Sequence, residues 1–142
     1  MTQMQIHLAK TDEEIERCFP VMVQLRPHVK PSNFLPTVKS QMQNGYRLAF
    51  VESEGKILSV AGFRVGCNLA WGKHLYVDDL ISDEYHRSMG AGKKLFGWLI
   101  EYAQAQSCQQ LHLDSGIQRF QAHKFYLREG MKIASHHFFT DL

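Results

Sequence analysis

The residues of this chain best suited to chemistry crowd into one stretch. Asp78 and Asp79 stand side by side, and Arg87-Ser88-Met89-Gly90-Ala91-Gly92-Lys93 follows a few positions on. Adjacent acids inside an otherwise apolar run are costly unless they have partners or a task. Glycines and cations ahead of a helix suit an anion. The first helical turn leaves backbone N–H groups unpartnered, and the macrodipole puts about half a positive charge there. Glycine, without a Cβ, lets a phosphate come close to that backbone.

The flanking residues supply the elements such a site needs. Leu75, Tyr76, Val77, Leu80 and Ile81 give residues 74–82 the composition of a buried strand. Leu95, Trp98, Leu99, Tyr102 and Ala103 recur at helical spacing. The order is strand, anion-binding turn, helix, and spacing separates three known forms of it. The nucleotide-binding pattern GxxxxGK[ST] fails, because Arg87 stands five residues before Gly92 and Lys94 fills the Ser/Thr place. The dinucleotide pattern GxGxxG has Gly90 and Gly92, but Leu95 replaces its third glycine. Its acidic residue is nearly met by Asp114, about 20 residues on. A nucleotide-binding oxidoreductase domain is therefore the alternative. The pattern [R/Q]xxGx[G/A] is met in full by Arg87 to Gly92.

With 142 residues, 44% of them hydrophobic, the chain suits one domain, residues 1–142, with its own core. A net charge of +2 and the lack of a basic tract argue against nucleic acid. No apolar run is long enough to span a membrane, and the N-terminus lacks the pattern of a secretory signal. Three scattered cysteines without CxxC point to plain thiols in a reducing cytosol. His136 and His137 are adjacent on an expected strand, face opposite ways, and make no metal site.

Taken in order, residues 4–9 read as a strand. Thr11 and Glu14 form a capping box, and Pro20 should kink or split the helix it opens. Residues 31–36, with two prolines, read as a loop, and a further helix starts near Thr37. Residues 46–53 and 56–64 read as a hairpin, and 65–73 as a second turn. After the central strand, turn and helix come a strand at 109–115, a helix at 119–129 stopped by Gly130, and a strand at 131–139. The order β-α-α-β-β-β-α-β-α-β implies an α+β fold: a mixed, mostly antiparallel sheet flanked by helices.

That order and the RSMGAG turn resemble the GCN5-related N-acetyltransferase (GNAT) superfamily over essentially the whole chain. A second motif of the family, N-x-x-A-x-x-[LF]-Y-x-x-x-G-[FM], is matched by RFQAHKFYLREGM at residues 119–131. Ala122, Phe125, Tyr126, Gly130 and Met131 fall in place, and Arg119 replaces the usual asparagine. The resemblance implies transfer of an acetyl group from acetyl-CoA to a primary amine by direct attack, without a metal. The backbone of Leu80, Ile81 and Ser82 would pair with the pantetheine arm. Arg87, Ser88, Met89, Gly90, Ala91, Gly92 and Lys93 would hold the pyrophosphate, with Arg119 as a further cofactor contact. An alkylamine with pKa near 10.4 is almost wholly protonated at pH 7, which costs about 4–5 kcal/mol unless a base assists. Asp78, Asp79 and Asp114 are the candidates for that base, and Tyr126 for the acid that protonates the departing thiolate. A non-catalytic acyl-CoA-binding module on the same fold is a further alternative. The partners implied are acetyl-CoA and an amine acceptor, and the aromatic C-terminal strand offers an edge that could pair in a homodimer.

Overall fold

The computed structural model describes residues 3–87 and 89–142. The chain divides into two compact units, Met1–His112 and Leu113–Leu142. The sheet has five strands: β1 (Gln5–Leu8), β2 (Arg47–Ser53), β3 (Lys56–Asn68), β4 (Gly72–Ser82) and β5 (Gln110–Leu113), adjacent in that order. β1 to β4 run antiparallel. The helices are α1 (Asp12–Arg17), α2 (Phe19–Leu25), α3 (Pro31–Met42), α4 (Ala91–Ala105) and α5 (Phe120–Arg128). The mixed sheet flanked by helices is the expected architecture.

Local signals explain the first helices. Thr11 Oγ1 accepts from the Glu14 N–H at 3.1 Å, and the Glu14 carboxylate accepts from the Thr11 N–H at 3.0 Å. The helical run breaks at Cys18, and Pro20 falls in the first turn of α2, where no N–H is needed. One face of the sheet carries Leu48, Phe50, Val60 and Ile81, which form a core with Ile15, Cys18, Val21, Met22, Phe34 and Val38 from α1, α2 and α3. On α4, Leu95, Phe96, Leu99 and Ala103 are buried. Phe63 of β3 meets the rings of Trp98 and Tyr102, at centroid distances of 5.9 and 5.2 Å.

Three expectations are corrected. Residues 31–36 are helical, not a loop. Pro31 takes the first helical position, and burial of Phe34 and Val38 on one face outweighs the bond lost at Pro36. The turn expected at 65–73 shrinks to residues 69–71, because β3 and β4 stay paired out to Asn68 and Gly72. The Asn68 side chain closes this tight turn by accepting from the Trp71 N–H at 2.7 Å. Finally, residues 131–142 form no strand. Strand propensity needs a ladder to act on, and this segment has none within the chain.

Candidate active site

β4 has one residue more than β3 can match. Gly62 pairs with Asp79 and Phe63 with Val77, leaving Asp78 as a bulge. Val77 lies opposite Phe63 and so shares its face, toward α4. Four residues on, Ile81 lies opposite Val60 in the core beneath α1, α2 and α3. In an unbroken strand both would face the same way. The bulge turns the strand over.

Each of the paired acids has a basic partner. Asp78 receives a bidentate pair of bonds from Arg64, both 2.8 Å. Asp79 accepts from Arg26 Nε at 2.9 Å and from the buried Tyr46 hydroxyl at 2.8 Å. Arg26 also donates to the Asp78 carbonyl at 2.8 Å, tying the end of α2 to the bulge. Burial, followed by the nearby Asp79 carboxylate, pushes the Tyr46 phenol well above its usual range. Gly62 makes room for this arrangement: a Cβ there would lie 1.8 Å from Tyr46 Oη and 2.6 Å from Asp79 Oδ2. The two carboxylates differ in access. The Asp79 side chain is 13% exposed and the Asp78 side chain 22%. Asp78 lines a cavity of about 540 Å³ together with Asn44, Arg64, His74 and Tyr76.

Beyond the bulge, Leu80, Ile81 and Ser82 run to the end of β4. β5 joins β4 at its opening end, where the Gln109 N–H donates to the Lys73 carbonyl at 2.8 Å. A crossover through α4 makes the two strands parallel. Counted from there, four residues of β5 reach only about as far as Val77. Among the described residues, no strand lies along the outer backbone edge of Leu80–Ser82.

A 3-10 turn, Glu84–His86, leads from β4 to Arg87. Asp83 anchors it, accepting from Gln24 Nε2 at 3.0 Å and meeting His86 Nδ1 at 2.6 Å. Burial alone would raise the Asp83 pKa, but the bonds from Gln24, His86 and the Tyr85 N–H bring it below the usual carboxylate range. Arg87, Met89, Lys93 and Lys94 are exposed. Ser88 lies outside the described residues. Gly90 caps α4 with φ 82° and ψ 9°, a left-handed conformation that glycine adopts without strain. The N–H groups of Ala91, Gly92 and Lys93 form the open first turn. Gly92 sits tight on the strand end, since a Cβ there would be 2.8 Å from Ser82 Oγ. Strand edge, cations and helix N-terminus are thus contiguous in the first unit, and can hold an extended ligand ending in phosphates.

The other candidates lie in the second unit. On α5, burial raises the Tyr126 phenol pKa, and the nearby Arg119 guanidinium acts in the opposite sense without cancelling it. Asp114 pairs with His137, at 3.6 Å.

Tyr46, Asp83 and Gln24 were not expected at the site, and Arg26 was not expected as a partner of the acids. The only signal for them is that two acids in a strand demand partners.

Comparisons with known proteins agree with this fold. A curated relative is the uncharacterized N-acetyltransferase YhdJ of Bacillus subtilis, 28% identical over 137 residues, which cover 94% of this chain and 96% of the relative. Among solved structures, a transcriptional regulator from Bacillus halodurans superposes with a TM-score of 0.87 at 18% identity, covering 99% of this chain and 100% of its own. The aminoglycoside N-acetyltransferase AAC(6')-Iy, in complex with CoA, gives 0.86 at 14% identity, covering 100% and 96%. These two likenesses are of fold. The model of the acetyltransferase (GNAT) family matches residues 8–131, from the end of β1 through the glycine turn to just past α5, and this chain belongs to that family.

Proposed function

We propose that this protein is an acetyl-CoA-dependent N-acetyltransferase that acts on a primary amine, with residues 1–142 working as one catalytic domain. One observation carries the reading: a strand with an open outer edge, Leu80–Ser82, leads through Arg87 to a 15-residue helix capped by a left-handed Gly90. The thioester arm of acetyl-CoA pairs along Leu80, Ile81 and Ser82 like an added strand. Its pyrophosphate lies on the N–H groups of Ala91, Gly92 and Lys93, between Arg87 and the Met89–Gly90 turn. Acetyl-CoA supplies the activated acyl group. The chain's own residues orient it and manage protons.

The amine enters the cavity lined by Asp78, Tyr76 and His74. Of the three candidate carboxylates, Asp78 faces that cavity and receives the ammonium. Asp79, the less exposed of the two and bonded to Arg26 and Tyr46, holds the bulge in place. Asp78 takes a proton from the ammonium, and the neutral amine attacks the thioester carbon. The C–S bond breaks to expel the CoA thiolate, which takes a proton from Tyr126. The proton then lost by the amide nitrogen returns the phenolate to the phenol through solvent. Arg119 serves here as the residue that positions Tyr126. The three free cysteines support a reducing compartment, the cytosol.

Titration calorimetry with acetyl-CoA, CoA and NAD, followed by thiol release over a panel of amines, tests the proposal. Micromolar acetyl-CoA binding with amine-dependent thiol release is expected. Tighter binding of NAD would favour the nucleotide-binding alternative. Tight acetyl-CoA binding without thiol release for any amine would favour a non-catalytic acyl-CoA module.

A further inference from the structure

The cavity assigned to the amine carries two opposite charges, and they hold each other. Arg64 and Tyr76 are partners across β3 and β4, and Asp78 follows in the bulge. The Arg64 guanidinium donates two bonds of 2.8 Å, one to each oxygen of Asp78. Among the described residues that line the cavity, Asp78 is the one carboxylate and Arg64 the one arginine or lysine. The neighbouring acid, Asp79, is occupied by Arg26 and the Tyr46 hydroxyl.

This pairing sets a condition on the acceptor. A plain alkylammonium that reaches Asp78 must displace Arg64. It exchanges one cation for another, loses a two-pronged contact, and leaves a guanidinium without its anion. An amine that brings its own carboxylate avoids that loss. Its ammonium takes the place of Arg64 on Asp78, and its carboxylate takes the place of Asp78 on Arg64. The Asp78 contact itself shows that the guanidinium fork accepts a carboxylate here through both oxygens. Arg64 is able to move, since its side chain is 51% exposed. It also has an anchor while its partner changes. Its Cζ lies 5.9 Å from the centre of the Tyr76 ring, within cation–π reach.

We propose that the acceptor is a free α-amino acid, bound as a zwitterion between Asp78 and Arg64. This rests on the reading of the cavity as the amine's entrance. An α-amino acid fixes ammonium and carboxylate on a single carbon, so both charges arrive together at a pair that starts in contact. The α-nitrogen forms its bond to the acetyl carbon as the C–S bond breaks. Of the two protons the α-ammonium loses, one ends on the CoA thiol and one in solvent. The product amide is neutral at nitrogen, so Asp78 loses its cation, closes again on Arg64, and displaces the product carboxylate.

Thiol release tests this with matched acceptors: each common α-amino acid, its α-amide, and the amine left by its decarboxylation. The amide stands for a peptide N-terminus, and the decarboxylated amine for alkylamines. For at least one side chain, kcat/KM for the free acid should exceed both by about 100-fold or more. Arg64→Gln should raise KM for that acid by about 10²-fold with kcat changed far less, and Arg64→Lys should recover part of the loss. Circular dichroism should show both variants folded, because Arg64 is half exposed. Amides or plain amines that turn over as fast as the acids would overturn the proposal and leave the N-acetyltransferase reading standing. An acid preference that survives Arg64→Gln overturns it equally. If no amine of any kind releases thiol, the catalytic reading fails, and equilibrium dialysis of the radiolabelled amino acids with CoA present decides the site by itself. Retention by the wild type that Arg64→Gln abolishes upholds it, and no retention overturns it.

Discussion

The two units differ in how their order is secured. In the first, the buried apolar residues run from Ala9 to Ala103, and every acid in the strand that bears the bulge has a partner. In the second, α5 has an apolar side but buries none of its residues. Yet the second unit holds Tyr126, the residue to which we assign proton donation. The unit that would bind the cofactor is internally over-determined. The unit that would finish the reaction buries no apolar side chain of its own. Mutations of the first unit's buried contacts should therefore cost stability, whereas Tyr126→Phe in the second should cost rate.

The largest effect is expected at Gly62. Gly62→Ala places a Cβ against Oη of the Tyr46 ring, which is buried and bonded to Asp79, and should cost about 3 kcal/mol or more in urea denaturation. A mild effect would show that Tyr46 and Asp79 can rearrange, and that the first unit is softer than its packing implies. Asp79→Asn comes next, at about 1–3 kcal/mol, since Arg26 and the Tyr46 hydroxyl lose a charged acceptor while Arg26 keeps partial access to water.

The pH dependence of stability should show the same asymmetry. The folded-state pKa of Tyr46 is raised, so its contribution is full below its unfolded value near 10 and is lost as pH rises through the folded one. Asp83 has a lowered folded-state pKa, so its contribution is present above its unfolded value near 3.9 and is lost as pH falls through the folded one. Denaturation at a series of pH values should thus show an alkaline decline that Tyr46→Phe flattens, and an acid decline that Asp83→Asn flattens.

Asp78→Asn should cost less than about 1 kcal/mol, because its Arg64 partner is half exposed. The smallest change in stability is expected from Tyr126→Phe, within about 0.5 kcal/mol, with kcat nonetheless down about 10- to 10³-fold. An acyl donor with a more acidic leaving thiol should narrow that deficit. If Tyr126→Phe instead destabilised the fold and left kcat intact, the contrast between the units would collapse.

What could be read from the sequence was mostly local. The capping box of Thr11 and Glu14 lies within four residues, and the glycine turn within six. Both are set by backbone chemistry that neighbours alone decide. Long-range features were harder. The partners of Asp79, Arg26 and Tyr46, stand 53 and 33 positions away, and nothing near the acid announces them. Pro31 and Pro36 suggested a loop because the burial of Phe34 and Val38 is a tertiary fact. The strand expected at 131–139 had the right residues, but a strand is a relation between two segments, and composition describes only one of them.

The bulge at Asp78 has a consequence for how this region tolerates change. A strand alternates with a period of two, and one additional residue shifts its phase by half a cycle. Replacing Asp78 leaves that phase untouched, whatever the new side chain. Deleting it would remove the bulge and keep both faces: Val77 and Ile81, then three apart in an unbroken strand, would still lie opposite Phe63 and Val60. What would go is the local bend and the pair of Asp78 with Arg64. The number of residues between Val77 and Ile81 is therefore itself a structural instruction: with both faces fixed by packing, the additional residue forces a bulge, which no substitution removes and a single deletion erases.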